Sequence, residues 1–114
     1  MSISYRDVGD NLRHIVVKAR LDLPGTDSVA SKLVELSAAP KKGVVVDLLS
    51  VSFLASIGIR ALLTSAKAVQ ERGGRMVLLV DGSSSVLMSL KATGVNELIP
   101  VFQDAAAAEK AALA

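Results

Sequence analysis

The chain has 114 residues, 51% of them hydrophobic and 21% charged, which suits one globular domain with its own core. It has no cysteine and one histidine, His14, which excludes a disulfide framework, a thiolate metal site, a cysteine nucleophile and a multi-histidine metal centre. Thirteen Lys and Arg against eleven Asp and Glu leave a net charge of +2, and Tyr5, Phe53 and Phe102 are its three aromatic residues, so neither a basic footprint nor a stacking platform for nucleic acid is present.

Ile3 to Val8 alternates loosely, and Gly9-Asp10-Asn11 is a turn signal before a second strand, Leu12 to Leu21. The two runs predict an antiparallel hairpin. Leu23-Pro24-Gly25-Thr26-Asp27-Ser28 reads as a loop that ends in helix-capping residues, with Thr26 and Ser28 as caps. Val29, Leu33 and Leu36 then place a first helix over about Asp27 to Ala38, stopped by Pro40-Lys41-Lys42-Gly43.

Val44 to Leu48 is β-branched without alternation, as in a strand buried on both faces. After Phe53 and Leu54 the period changes to that of a helix. Ile59, Leu62, Leu63, Ala66 and Val69 form one stripe, and Gly73-Gly74 ends it. Arg75 to Val80 is another apolar strand, Asp81-Gly82 a turn, and Ser83 to Thr93 a third helix capped by Gly94. Glu97 to Phe102 reads as a short edge strand interrupted by Pro100, and Asp104 caps an alanine-rich closing helix.

Strands and helices alternate from residue 43 onward, which requires a parallel sheet with right-handed crossovers. The expected fold is therefore an α/β sandwich of about five strands in a mixed sheet with about four helices, a single domain over residues 1–114. No apolar run approaches the roughly 18 to 20 residues of a membrane span, and Met1 to Asp10 carries charges where a signal peptide is apolar. A cytoplasmic protein without membrane or nucleic-acid partners is expected.

In parallel sheets, ligands gather where strands end and helices begin. Leu23 to Ser28, Ser50 to Gly58 and Asp81 to Ser85 occupy such junctions. Ser56 falls at or just before the first turn of the second helix, among unpaired N–H groups at the positive end of the dipole. One reading makes it an N-cap. The other makes it a switch, because phosphorylation adds about −1.5 to −2 charges that these amides partly satisfy while a docked partner does not. Gly58 removes a side chain from that surface. Ser83-Ser84-Ser85 has no phosphate-loop glycine and lysine pattern, so capping is its simplest role. Asp47 has no evident partner base, and His14 reads as a surface residue.

The pattern Asp-Leu-x-x-Val-x-Phe-Leu-x-Ser-x-Gly-Ile, carried by Asp47, Leu48, Val51, Phe53, Leu54, Ser56, Gly58 and Ile59, resembles the signature of STAS domains, above all the bacterial anti-sigma factor antagonists. Leu21-Asp22, and Gly94-Val95 with Leu98-Ile99, extend the resemblance along the chain, and the element order agrees with the STAS fold. The resemblance implies that Ser56 is phosphorylated by an anti-sigma factor that is also an ATP-dependent serine kinase. The unphosphorylated antagonist binds this kinase and frees the sigma factor, the phosphorylated form lets go, and a serine phosphatase resets the cycle. The chain is then a substrate and competitor, neither an enzyme nor a cofactor protein. Its expected partner face comprises Asp22, Leu23, Thr26, Leu54, Ala55, Ser56, Ile57, Gly58 and Arg60. The family usually has an aspartate before the serine and a second serine after it, where this chain has Ala55 and Ile57. Ala19 and Arg20 stand where a glycine and an acidic residue are common.

Two other readings compete. STAS domains also serve in stressosome scaffolds, lipid-trafficking complexes and sulfate-type anion transporters. A small α/β enzyme or nucleotide-binding protein is a different class, against which stand the lone histidine and the lack of a phosphate loop or paired carboxylates.

Overall fold

In a computed structural model, which describes residues 2–18, 20–39 and 41–114, the two N-terminal runs pair as an antiparallel hairpin of β1 (Ser2–Val8) and β2 (Leu12–Lys18). Three more strands add in parallel: β3 (Gly43–Asp47), β4 (Arg75–Leu79) and β5 (Val101–Phe102). The result is a mixed sheet in the order β1-β2-β3-β4-β5. Val44, Val45 and Val46, and Met76 to Leu79, are buried on both faces, as their lack of alternation requires.

Each parallel strand lies beside the last, so right-handed crossovers place the connecting helices on one face. These are α1 (Leu23–Ser37), α2 (Ser56–Glu71), α3 (Ser85–Ala92) and the single turn α4 (Val95–Leu98). They bury Leu33, Leu62, Val69 and Leu90 against Ile15, Val17, Val44, Val46 and Leu78. The closing helix α5 (Ala105–Leu113) covers the other face, where Ala108 and Ala112 meet Leu12, Val45, Val77 and Leu79.

Several boundaries differ from expectation for identifiable reasons. Helix α1 begins four residues before Asp27, and the segment 23–28 is its first turns rather than a loop. Pro24 stands in the first turn, where a missing N–H costs nothing, so Pro-Gly here opens a helix instead of marking a turn. The cap is Asp22, whose carboxylate accepts from Gly25 N–H at 2.9 Å, and neither Thr26 nor Ser28 is one. The described residues form five helices, where about four are expected. Gly94 takes φ 76°, and Ile99 N–H donates to Val95 O at 2.8 Å, turning Glu97 and Leu98, the start of the expected 97–102 strand, into the end of α4. The strand that remains is an edge, entered through Leu78 N–H donating to Pro100 O at 2.9 Å. The second strand is assigned to Lys18; Ala19 and the expected stop at Pro40 lie outside the described residues.

His14 is not a surface residue, and Asp47 does have a partner. Strand alternation turns both side chains toward α5, and His14 is only 4% exposed. Its Nε2 lies 3.0 Å from Asp47 Oδ2 and its Nδ1 2.9 Å from Glu109 Oε2. Each ring nitrogen thus lies within hydrogen-bond distance of one carboxylate. Glu109, on α5, also pairs with Arg6 on β1 at 3.1 Å. This cluster ties β1, β2 and β3 to α5.

Candidate functional site at the paired starts of α1 and α2

Two chain segments enter helices side by side at one end of the sheet. Leu21 and Leu54 form an isolated parallel bridge, with Leu21 N–H donating to Phe53 O at 2.8 Å and Ala55 N–H donating to Leu21 O at 3.0 Å. Two residues past the bridge on each segment, α1 starts at Leu23 and α2 at Ser56. The bridge therefore sets two helix N-termini level with each other, and their dipoles point positive at the same edge.

The two starts are finished differently. Asp22 caps α1. At α2 the N-cap is Ala55, which has no side chain to offer, and Ser56 is the first helical residue rather than the cap. The first helical hydrogen bond is Ile59 N–H to Ala55 O at 3.1 Å. The N–H groups of Ser56, Ile57 and Gly58 thus meet no acceptor among the described residues. Ser56 is exposed and, as the first residue of α2, carries the first of these open amides. Chemically, the arrangement can take an anion or a hydrogen-bond acceptor.

The other residues of the expected partner face divide into a surface and its support. Leu23 is 66% exposed and Arg60 is exposed, while Asp22, Ala55 and Ile57 are half-buried. Leu54, Thr26 and Gly58 are buried beneath them. Leu54 holds the bridge to Leu21. Gly58 allows a close approach inside the protein, since a Cβ there would lie 2.8 Å from Leu54 Cδ1 and 2.9 Å from Leu21 Cβ. Thr26 Oγ1 is buried without a hydrogen-bond partner among the described residues. Arg20 belongs to the rim: its guanidinium lies 4.3 Å above the Phe53 ring and pairs with Asp22 at 3.1 Å. The Arg-x-Asp spacing was the available signal for the pair, but the stacking on a residue 33 positions away had none.

Between α1 and α2 runs an apolar groove of about 350 Å³, bordered by Leu23, Val34, Ile57 and Ala61, with Asp27 on one wall and Arg60 on the other. The third junction, 81–85, is used structurally. Ser84 caps α3 by accepting from Leu87 N–H at 3.2 Å. Asp81 accepts from both Ser83 N–H and Ser83 Oγ at 3.0 Å, and the amide, the larger influence, holds its carboxyl below the usual value.

A mixed five-stranded sheet with parallel crossovers, stitched at one end so that two helix starts lie level, defines an α/β domain. The STAS domain profile matches residues 7–108, and the chain belongs to the STAS domain family. Its structure resembles that of an anti-sigma factor antagonist from Mycobacterium paratuberculosis (TM-score 0.82, 20% identity, 97% of this chain and 94% of that one). It also resembles an anti-sigma-factor antagonist (STAS) domain protein from Planctomyces limnophilus (TM-score 0.77, 25% identity, 96% and 95%). A third relative in structure is the anti-sigma factor antagonist SpoIIAA, solved unphosphorylated (TM-score 0.75, 15% identity, 96% of each chain). The same protein from Bacillus, in its phosphorylated form, matches with a TM-score of 0.68 at 15% identity, over 96% of this chain and 99% of that one. A search of curated proteins finds no match. Among the described residues no helix is long and apolar enough to cross a membrane.

Proposed function

We propose that this chain is an anti-sigma factor antagonist that docks on a serine-kinase anti-sigma factor through the start of α2, releasing the sigma factor, and that phosphorylation of Ser56 ends the complex. The carrying observation is the placement of Ser56: exposed, first in the helix, and beside three amides with no acceptor among the described residues. A phosphate there gains hydrogen bonds and a favourable dipole without disturbing the fold. The same charge, buried under a partner that had packed on Leu23, Ile57 and the Ser56 hydroxyl, is left desolvated and opposed. The likeness to a protein solved in both unphosphorylated and phosphorylated forms supports this reading.

Ala55 and Ile57 in place of the family's aspartate and second serine fit such a switch. Without a carboxylate at 55, no like charge stands next to the phosphate and the amides stay open for it. The chain acts as substrate and competitor, and a serine phosphatase restores it. In a titration against the anti-sigma factor, Ser56→Asp is expected to bind at least about tenfold more weakly than wild type, about 1.4 kcal/mol, with an unchanged circular dichroism spectrum. Equal affinity of the two proteins would contradict the proposal.

A further inference from the structure

The α1/α2 groove is not explained by the Ser56 site alone. Leu23, Ala30, Val34, Ile57 and Ala61 line it beside the exposed Ser31 and Thr64, and the hydroxyl beneath it, Thr26 Oγ1, is fully covered. The two charges on its walls are of opposite sign, yet Asp27 and Arg60 are paired neither with each other nor with any other ionic group among the described residues. Their positions match. Asp27 is four residues past the start of α1 and Arg60 four past the start of α2, and the Leu21–Leu54 bridge holds those starts level. Both helices are crossovers between parallel strands and run in the same direction.

A face with two parallel helices, unlike charges at equal height and an apolar seam between them is complementary to itself. A two-fold axis lying along the seam lays α1 of one copy over α2 of the other, and brings Asp27 of each opposite Arg60 of its mate. We infer that a second copy of this chain is the occupant of the groove, in a reversible two-fold dimer closed by two Asp27–Arg60 pairs around Leu23 and Ile57. Helices of 15 and 16 residues offer a face of about 22 by 20 Å, so the dimer buries about 900 Å² in all, the size of a weak, reversible contact. Taken with the proposed function, on which only this consequence rests, self-association hides the start of α2. It holds the antagonist in reserve at high concentration, in competition with the anti-sigma factor.

The test is sedimentation equilibrium of the full chain alone across about 10 µM to 1 mM, where weak interfaces exchange. The expected result is a monomer–dimer equilibrium with a dissociation constant on the order of 100 µM. Both charged residues are exposed, so reversing them leaves the fold intact, which circular dichroism checks. Asp27→Arg or Arg60→Asp alone sets two like-charge pairs across the interface and weakens the dimer by about tenfold or more. The double variant restores it to within about threefold of wild type. A monomer at every concentration, association indifferent to the single reversals, or a double variant no better than the singles would each overturn the inference. No anti-sigma factor is present in this experiment, so its failure and the failure of the proposed partner switch are separate results.

Discussion

Gly58 and Ser56 stand two positions apart in α2 and face opposite ways. Ser56 is presented to solvent, whereas Gly58 is pressed against Leu21 and Leu54, the residues that bridge the two helix starts. Only hydrogen fits at 58, because a methyl group would lie inside contact distance of both leucines. Gly58→Ala is therefore expected to cost about 1 to 3 kcal/mol of stability, read by urea denaturation, in spite of alanine's better helix propensity. A variant as stable as wild type would show that the bridge yields. The serine itself was legible from sequence because its neighbours form a recognisable pattern. That Gly58 serves the interior was not, since one of the two residues it meets, Leu21, lies more than thirty positions upstream.

At the level of elements, the strand cores and α2 were readable because apolar periodicity reports directly on which faces are buried. Errors fell where a local signal has two meanings. Pro24-Gly25 marks a turn in most contexts but also suits a first helical turn, and Asp22 was the cap that decided between them. Near the C-terminus, Glu97 to Phe102 reads as one strand, and the helical turn that Gly94 opens with its positive φ takes Glu97 and Leu98 from it. Helix α2 keeps an unfilled cap. Ala55 has the extended backbone of an N-cap, φ −92° and ψ 172°, and no side-chain acceptor. Ala55→Asp supplies one to the open amides, and is expected to raise stability by about 1 kcal/mol. For a domain of this size that amounts to about 4 °C in Tm, measured by calorimetry. An unchanged or lowered Tm would mean those amides already have partners.

Across the whole molecule, two layers of helices must stay registered on one sheet, and on the α5 side that task falls to a polar cluster beside a small apolar patch. His14 lies between Asp47 on β3 and Glu109 on α5, residues 33 and 95 positions away. Nothing local in the sequence announces such a contact, and a lone histidine on an alternating strand is ordinarily exposed. Removing the ring takes away the partner that Asp47 and Glu109 share, and leaves Glu109 with Arg6 alone. His14→Ala is expected to destabilise the fold by about 2 to 3 kcal/mol, toward the lower bound for broken buried pairs because Glu109 is partly exposed. Urea denaturation measures it, with earlier amide exchange in α5 than in α2 as the local signature. A loss below about 0.5 kcal/mol, the size of a surface change, would deny the cluster its role.

The same strand that carries Asp47 leads into the segment ending at Ser56, so in the proposed function the sheet, its α5 anchor and the paired helix starts together present one hydroxyl. The most direct test of that account is intact-protein mass spectrometry after incubation with the anti-sigma factor kinase and ATP, with Ser56→Ala alongside. One added phosphate on the wild type and none on Ser56→Ala is the predicted result. A stable complex in which no phosphate is transferred, or a phosphate that persists in Ser56→Ala, would contradict it.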